Sequence, residues 1–410
     1  MNKIQLLQPF RTSRLFTALW SGRVLSGLGD EAFGVILPMV VYSVTDSATT
    51  MGLLLTLQAI PHILFQPLTG VVVDRFPRIA MMILSDVLRV ILLIAMSILG
   101  IEHHLAIVTL DVVVLLYGVA SVLFRPAYMA LRRQIFTPDI RNAAISLSQI
   151  ASQVTSFVGP SLGGLIMTFA SAVVGFMFDA ATFVCSIFSL VIIRRADDKL
   201  KLQPRHSNKQ TFVTDLLSGY RETVRHPWIW VGIVSWTFII ISYSGILPIL
   251  LPWLLKVHFH YPDYTYGLVV SMAGIGAMLA GFVAGSVRTW KRRGIVAYGA
   301  IAAEGLALFA MALVHSLVGL MVLMAVSSAG SMLFGIIHEG ILQELVPDEF
   351  FGRVISLEVF SAAIAQPIGY LFTGWLVKEV GGIHAMMLEA GMMFLTVVLT
   401  LCLPSIRNFK

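Results

Sequence analysis

The sequence has few charged residues and a large excess of apolar ones. Aspartate, glutamate, lysine and arginine make up 12% of its 410 residues, whereas hydrophobic residues make up 57% and the mean hydropathy is +0.87. Soluble domains carry about 25% charged residues, so this composition excludes a soluble globular domain. We therefore expect an integral membrane protein. In a membrane protein, an excess of basic residues such as the net charge of +6 reflects the loops on the cytoplasmic face of the bilayer. It does not indicate binding to nucleic acid.

Cysteine is also scarce, and two common enzyme motifs are missing. Cys185 and Cys402 both lie in apolar runs, which predicts small core residues rather than a disulfide or a metal site. Neither the HExxH zinc motif nor the GxxxxGK(S/T) nucleotide loop occurs. The histidines at 103–104, 258 and 260 lack a third ligand at a suitable spacing. We therefore expect no enzymatic activity, no metal, no cofactor and no use of ATP.

Twelve apolar runs are long enough to cross a bilayer, for which about 20 residues are needed. The fold class is therefore predicted to be an all-α integral membrane protein with twelve spans. The N-terminal run is longer than that of a signal peptide and lacks a small-residue cleavage site, so we expect it to remain in the protein. The predicted runs are 15–44, 49–73, 79–100, 105–131, 142–169, 171–193, 228–256, 265–288, 294–314, 316–343, 353–378 and 383–404.

The basic residues between the runs lie mostly on one side of the membrane. An even number of spans puts both termini on the same side, and the arginine-rich loops fall on that side. The opposite loops hold only Lys256 and Lys378. Because basic loops stay in the cytoplasm, both termini are predicted to be cytoplasmic. The basic positions on this side are Arg75, Arg78, Arg132, Arg133, Arg141, Arg194, Arg195, Arg288 to Arg293, Arg407 and Lys410.

The two halves of the chain repeat each other. FTPDIRNAAISL at 136–147 resembles LVPDEFFGRVISL at 345–357, and GVVVDRFPR at 70 resembles GSVRTWKRR at 285, where Thr289 replaces the aspartate. The repeat predicts a six-helix half at 1–193 and a second at 228–410. The linker at 194–227 is expected to lie in the cytoplasm and to carry a short surface helix between Phe212 and Val224.

A short charged turn separates the second and third runs. It is the stretch GVVVDRFPR from Gly70 to Arg78, with Asp74 and Arg75 between them. Charges are costly in hydrocarbon, so this stretch must lie at a membrane face. Its glycine-x-x-x-aspartate-arginine-x-x-arginine pattern resembles the loop between the second and third helices of the major facilitator superfamily of secondary transporters. The resemblance implies that Asp74 latches the two halves together; alternatively, the loop is a solvated turn.

The resemblance extends over nearly the whole chain. SGLGDEAFGVILPMV, LQAIPHILFQPLTGVVVDRFPR, LSDVLR and FRPAYMALRRQIFTPDIRNAAISL are similar to the bacterial exporter branch that contains siderophore and macrolide efflux pumps. This implies a protein of the bacterial cytoplasmic membrane. Asp86 and Arg89, three residues apart in the third run, are expected to pair with each other or with the 70–78 loop. We interpret them as part of the gate.

The fifth run contains the stretch GPSLGG. Its Gly159, Pro160, Gly163 and Gly164 are similar to a motif associated with exporters and antiporters in this superfamily, although Thr155 stands where a further glycine is usual. The proline removes a backbone donor and the glycines let a neighbouring helix approach. We therefore predict a pliable helix-5 hinge at the interface between the halves; ordinary tight packing would favour the same residues.

Two acids lie near the middle of the first run. A charge at that depth costs at least about 2.5–3.5 kcal/mol, so Asp30 and Glu31 must face water, pair with a cation or hold a proton. Such an acid can bind a proton on one side and release it on the other. Adjacent helical residues point about 100° apart, so we favour Asp30 and keep Glu31 as the contender. The candidate partners are Arg23 and Arg125; alternatively, an acid–arginine pair only fixes the packing.

The second half carries further candidates. Glu304, Glu339 and Glu358 interrupt apolar runs; Glu339 is predicted to be the second titratable group, and Glu358 to line the cytoplasmic vestibule. His338 is expected to be hydrogen-bonded. Aromatic side chains could line an apolar substrate cavity, although most aromatic residues in membrane helices simply pack. The cavity candidates are Trp236, Phe238, Tyr243 and Phe360.

Together the residues and the resemblance predict a secondary active transporter. We expect proton-coupled efflux, by antiport, of amphipathic or lipophilic small molecules through alternating access. A lysophospholipid or lipid flippase and a siderophore exporter remain alternatives on the same scaffold, and the coupling ion is left open between H⁺, Na⁺ and an exchanged solute. The expected partners are the substrate, protons and membrane lipids, and the protein is expected to be a monomer.

Overall fold

The computed structural model describes residues 7–102, 106–196, 227–287, 290–346 and 348–407, and these residues form helices joined by short connections. Within helices, the side chains of 66–75, 227, 348–353 and 405 are not described. The surface helix expected between Phe212 and Val224 lies outside the described residues, as do most of the predicted linker and both histidines at 103–104.

The described residues contain twelve helices that are long and apolar enough to cross a membrane. The prediction of an all-α membrane protein with twelve spans is therefore confirmed. The fourth span consists of two consecutive helices, and the short helices Gln8–Thr12 and Pro404–Arg407 lie outside the spans. The spans are Arg14–Thr45, Ala48–Arg75, Arg78–Ile101, Ile107–Val122 with Phe124–Ile135, Arg141–Phe169, Ala172–Ala196, Pro227–Tyr243 with two π-helical turns, Tyr264–Ser286, Arg293–Met311, Leu317–Leu345, Asp348–Val380 and Gly382–Cys402.

The connections between spans are short because single residues reverse or stop the chain. Pro77, in an extended conformation, precedes the third span. Gly381 has a φ of 81° and is the only residue between the eleventh and twelfth spans. Asp46 has a φ of 50° between the first and second spans, in the left-handed region that aspartate tolerates better than most residues.

The outer surface of the spans is apolar and their charges lie inside. The third span exposes Leu84, Ile91 and Ile98, which recur every two turns, and buries Asp86 and Arg89 on the opposite side. This is the arrangement expected when the solvent is lipid, because ionisable residues then face the protein interior. Cys185 and Cys402 are exposed, so the prediction that they are core residues was wrong. Their spans turn them outward, where a thiol behaves as another small apolar group.

The packing divides the chain into two compact units. The first comprises Met1–Val40 and Leu57–Asn208, and the second comprises Val41–Thr56 and Lys209–Lys410. The end of the first span and the beginning of the second thus group with the second unit. Thr49 Oγ1, for example, donates a hydrogen bond to the Gly374 carbonyl at 2.8 Å. The predicted halves at 1–193 and 228–410 describe the sequence repeat and stay a prediction.

The seventh span leaves α-helical geometry in its second part. After Tyr243, π-helical turns occupy Ile246–Leu250 and Trp253–His258. Prolines at 248 and 252 lack the N–H that an α-helix requires, which favours such local widening. Two tyrosine hydroxyls donate to carbonyls in the first turn: Tyr42 to Ile249 O at 2.8 Å and Tyr266 to Leu247 O at 3.3 Å. Side chains thus replace part of the hydrogen bonding that regular helix would supply.

The Tyr42 hydroxyl is expected to stabilise this irregular turn. Tyr42→Phe leaves the buried Ile249 carbonyl without its donor, which should lower the free energy of unfolding by about 1–3 kcal/mol. Thermal unfolding of the purified protein measures the loss. The matched control is Tyr261→Phe, which removes an exposed hydrogen bond of the same kind to His315 O, where water can substitute. Equal stabilities of the two variants would contradict the assigned role.

Candidate functional site

Asp30 lies at the centre of a group of polar side chains from four spans of the first unit. Its Oδ2 lies 3.3 Å from Arg23 Nη1, two turns away on the same helix. Its Oδ1 accepts a hydrogen bond from the Tyr117 hydroxyl at 3.3 Å and lies 3.7 Å from Arg89 Nη1. The side chain is 34% exposed. Asp30 is therefore paired with cations while part of its side chain stays exposed.

Arg89 is a buried cation that contacts carboxylates and two aromatic rings. It donates to the Asp86 carboxylate through Nη2, and Asp86 Oδ2 also accepts from the Ser186 hydroxyl at 2.7 Å. The guanidinium lies 4.9 Å from the ring centroid of Phe124 and 4.0 Å from that of Phe183, so ring faces stabilise the charge where water is absent. The predicted pairing of Asp86 and Arg89 is observed, and their position joins them to Asp30.

Asp179, in the sixth span, was missed by the sequence analysis. Its side chain is fully buried, and Thr182 Oγ1 lies 3.4 Å from its Oδ1. A Cβ at position 29 would overlap the Asp179 carboxylate, so Gly29 makes the room that Asp179 occupies beside Asp30. Asp179 Oδ2 has no hydrogen-bond partner among the described residues. The sequence feature that could have revealed Asp179 is an acid within an apolar run, which is also how Asp30 was identified.

These residues form one charged cluster, which we define as Arg23, Asp30, Asp86, Arg89 and Asp179. It contains three carboxyl groups and two guanidinium groups. If all five were ionised, one negative charge would lack a partner in a largely buried place, at a cost of several kcal/mol. The charged cluster can therefore hold one proton more favourably than it can remain fully ionised.

Glu31 contacts a different span from those that Asp30 contacts. Its Oε1 accepts a hydrogen bond from Ser156 in the fifth span at 3.2 Å. Asp30, by contrast, contacts the third and fourth spans through Arg89 and Tyr117. Neighbouring residues in the first span therefore face different helices, as their angular separation predicts.

The GPSLGG motif packs against the same part of the first span. Gly159, Pro160, Gly163 and Gly164 are buried inside the helix Arg141–Phe169. A Cβ on Gly159 would overlap Glu31, and one on Gly163 would lie 2.6 Å from Ala32 O. The described contacts of these glycines thus lie inside the first unit, whereas a seam between the halves was expected. Without side chains at these positions, the fifth span can approach the two acids closely.

The same stretch also spells G-x-S-x-G at Gly159–Gly163, a pattern known from serine hydrolases. In those enzymes the serine sits on a sharp turn between a strand and a helix. Here it lies in the interior of a membrane-spanning helix, so the local geometry does not match that of a hydrolase nucleophile.

Arg125 does not pair with Asp30 among the described ion pairs. It lines a cavity of about 350 Å³ in the first unit. Arg23 lines the same cavity, so one arginine connects it to the charged cluster. Its lining residues are Trp20, Arg23, Val24, Gly27, Arg125, Tyr128, Met129, Arg132, Ser148, Gln149, Ala151, Ser152 and Thr155.

The predicted gating loop is only partly described. The side chains of Asp74 and Arg75 are outside the described residues, although the backbone from Gly70 to Arg75 continues the second span. Arg78 begins the third span. The interpretation of Asp74 as a latch therefore stays a prediction.

The acids of the second unit are arranged differently from the prediction. Glu339 is exposed and accepts a hydrogen bond from Gln343 at 3.1 Å, and its role as a second titratable group stays a prediction. Glu358 lies 2.7 Å from His338 Nε2. The buried acids are Glu304, 1% exposed, and Glu389, which the sequence analysis omitted and whose Oε1 lies 2.6 Å from Thr373 Oγ1. A position along a span does not give the direction in which the side chain points, so the sequence did not distinguish exposed Glu339 from buried Glu304.

Two of the four predicted aromatic residues line a cavity in the second unit. Trp236 and Tyr243 contribute to a space of about 390 Å³ that also includes Glu304. Phe238 is 55% exposed on the outer surface, because it lies two residues after Trp236 and so on another side of the helix. Phe360 is not among the residues that line this cavity.

Twelve spans with buried charges and two internal cavities define a multi-pass membrane protein of the transporter class. The sequence profile of the Major Facilitator Superfamily matches residues 19–250 and 242–408. The chain therefore belongs to the Major Facilitator Superfamily.

Relatives of similar length are transporters. The chain is 23% identical over 404 residues to the multidrug efflux pump Tap of Mycolicibacterium fortuitum, covering 96% of this chain and 95% of the relative. It is 18% identical over 397 residues to macrolide efflux protein A of Streptococcus pyogenes, covering 96% of each.

Solved structures share the fold. A bacterial homologue of the iron transporter ferroportin in an inward-facing state matches with a TM-score of 0.75 at 17% identity, covering 94% of this chain and 98% of that one. The nucleoside transporter NupG matches with a TM-score of 0.72 at 12% identity, covering 97% and 100%. At these identities the likeness shows the fold alone.

Removing Arg89 should strongly destabilise the first unit. Arg89→Met leaves Asp86 buried without its cation, which we expect to cost about 3–5 kcal/mol. The double variant Asp86→Leu/Arg89→Met removes both charges and should recover part of this loss. Chemical or thermal unfolding measures the three proteins, with Arg133→Met on the exposed surface as the control. Additive effects in the double variant would contradict a direct ion pair.

Gly163 should be required for the approach of the first and fifth spans. Gly163→Ala puts a methyl group against the Ala32 backbone, which should lower stability by about 1–3 kcal/mol. In the control, Gly335→Ala, the added methyl has no neighbour within 4 Å, and stability should stay the same or rise by about 0.5–1 kcal/mol. Thermal unfolding compares them; an unchanged Gly163→Ala protein would refute the close packing.

Proposed function

We propose that this transporter is a proton-coupled exporter that exchanges protons for amphipathic or lipophilic small molecules by alternating access. The observation that carries the proposal is the charged cluster. It has one acid more than it has cations, and the side chain of one of its acids, Asp30, is partly exposed. A group of this kind can take up a proton and release it again when its surroundings change.

The link between the proton and the substrate runs through Arg23. This arginine pairs with Asp30 and also lines the 350 Å³ cavity. When Asp30 binds a proton, its attraction for Arg23 is lost and the guanidinium is free to turn toward the cavity. Loading the proton therefore changes the charge presented to a substrate. This is the kind of differential interaction that a coupled transport cycle requires.

The direction of transport and the location are supported by relatives and by charge. Two relatives that the chain covers almost completely bear names that describe them as efflux proteins. The arginine-rich loops support a cytoplasmic position for both termini, and the bacterial sources of the relatives support a place in the bacterial cytoplasmic membrane.

Replacing Asp30 should uncouple transport from the proton gradient. Asp30→Asn keeps the shape of the side chain but cannot ionise, so proton-driven efflux from proteoliposomes should be abolished while substrate binding remains measurable. The matched control is Asp46→Asn, the same substitution at an exposed position of left-handed backbone, which asparagine also tolerates. The efflux assay is run with a pH difference, a membrane potential and a sodium gradient imposed separately.

The outcomes of this assay separate the alternatives. Unchanged pumping by Asp30→Asn would remove Asp30 from the mechanism, and loss of pumping in Glu31→Gln alone would move the role to Glu31. Transport driven by sodium but not by protons would overturn the proposed coupling ion. Gradient-dependent movement of labelled lysophospholipid, with none of the drug-like compounds moved, would replace the exporter by a lipid flippase.

A further inference from the structure

The cavity of the second unit is large enough for a small molecule. Its volume of about 390 Å³ falls in the range of known ligand sites, about 300–1,000 Å³. Five spans contribute to it. The lining residues are Trp236, Ile239, Ile240, Tyr243, Ser244, Leu247, Pro248, Glu304, Ser331, Ala362, Gln366, Tyr370 and Met393.

Among the described residues that line this cavity, Glu304 is the only one with a carboxyl group, and none is an arginine, lysine or histidine. Its side chain is 1% exposed and lies beside the hydroxyls of Ser327 and Ser331 in the tenth span. The tenth span comes this close because Gly330 lacks a Cβ, which would overlap Ala300 O and lie 3.2 Å from Glu304 Cβ. The close packing of the ninth and tenth spans therefore holds the Glu304 carboxyl group at the wall of a mostly apolar cavity.

Glu304 lacks a cationic partner inside the protein. Among the described side chains, none of the arginine, lysine or histidine residues forms an ion pair with it. An ionised carboxylate in such a place loses its hydration, and the two serine hydroxyls beside it supply no opposite charge. A cationic ligand in the cavity would supply the missing charge.

Aromatic rings form much of the remaining wall. Trp236 stacks on Phe334 with ring centroids 4.9 Å apart, and Tyr370 accepts a hydrogen bond from Gln366 Nε2 at 2.6 Å, so both rings are held in place. Tyr243 adds a third ring. Ring faces attract cations, most strongly when water is excluded, and they also pack against apolar groups.

We propose that this cavity is a binding site for a monovalent amphipathic organic cation, such as a quaternary ammonium, a phosphonium or a protonated amine on an apolar body. Glu304 supplies the counter-charge, and Trp236, Tyr243 and Tyr370 surround the apolar part. The site rests on the proposed function and names the class of substrate that the exporter carries. An anion would face the carboxylate, and no cation lines the cavity to receive it.

Tetraphenylphosphonium tests the site, because its charge is permanent and its body is apolar. Equilibrium binding is measured with the full chain in lipid nanodiscs, so that no transport is needed. Glu304→Gln, which keeps the shape of the side chain, should weaken binding about 30-fold or more. Glu304→Asp should restore part of the affinity, and Trp236→Leu should weaken binding less. The matched control is Glu379→Gln, an exposed acid near the end of the eleventh span, which should bind as the wild type does.

The anion tetraphenylborate, of the same shape, is measured in parallel and should not compete. Equal affinity of wild type and a folded Glu304→Gln protein would overturn the site, as would equal binding of both ions. Asp30→Asn separates this inference from the proposed function, because it should abolish proton-driven efflux yet keep tetraphenylphosphonium bound through Glu304. Glu304-dependent binding in a protein that moves no solute under any gradient would support the site and refute the transport cycle.

Discussion

The need to compensate charge in a medium without water governs the interior of this protein. In the first unit the need is met within the chain, because Arg23 and Arg89 face carboxyl groups and two aromatic rings hold the Arg89 guanidinium. In the second unit, none of the described cations pairs with the buried Glu304 or Glu389. A soluble protein could hydrate such groups at little cost, whereas a membrane protein must pair them, protonate them or present them to a ligand.

Glycines position these charged groups as much as the polar residues do, because they let neighbouring helices approach closely. Gly29 makes room for Asp179, Gly159 and Gly163 bring the fifth span against the first, and Gly330 brings the tenth span against Glu304. Because lipid offers no hydrophobic drive between helices, close backbone approach is a principal source of contact between them. The sites for charge therefore lie where helices touch most closely.

The number and bounds of the spans could be predicted because about 20 apolar residues are required to cross a bilayer, and charged residues such as Arg78 and Arg141 end the runs sharply. The partners of the buried acids could not be predicted in the same way. Periodicity gives the angle between residues on one helix, which correctly separated Asp30 from Glu31, but it does not say which neighbour each side meets. For that reason Arg89 was assigned to the gate, and Glu339 was preferred to Glu304.

The irregular turn of the seventh span has a consequence for the cavity beside it. An α-helix rotates about 100° per residue, whereas a π-helical turn accommodates one more residue in nearly the same rise. The tyrosine hydroxyls fix the carbonyls at 247 and 249, which lie in the π-helical turn Ile246–Leu250. The extra residue in this turn therefore sets the direction in which Trp236 and Tyr243 point from the preceding helix. Loss of a single residue there would turn both rings off the cavity without altering its acid.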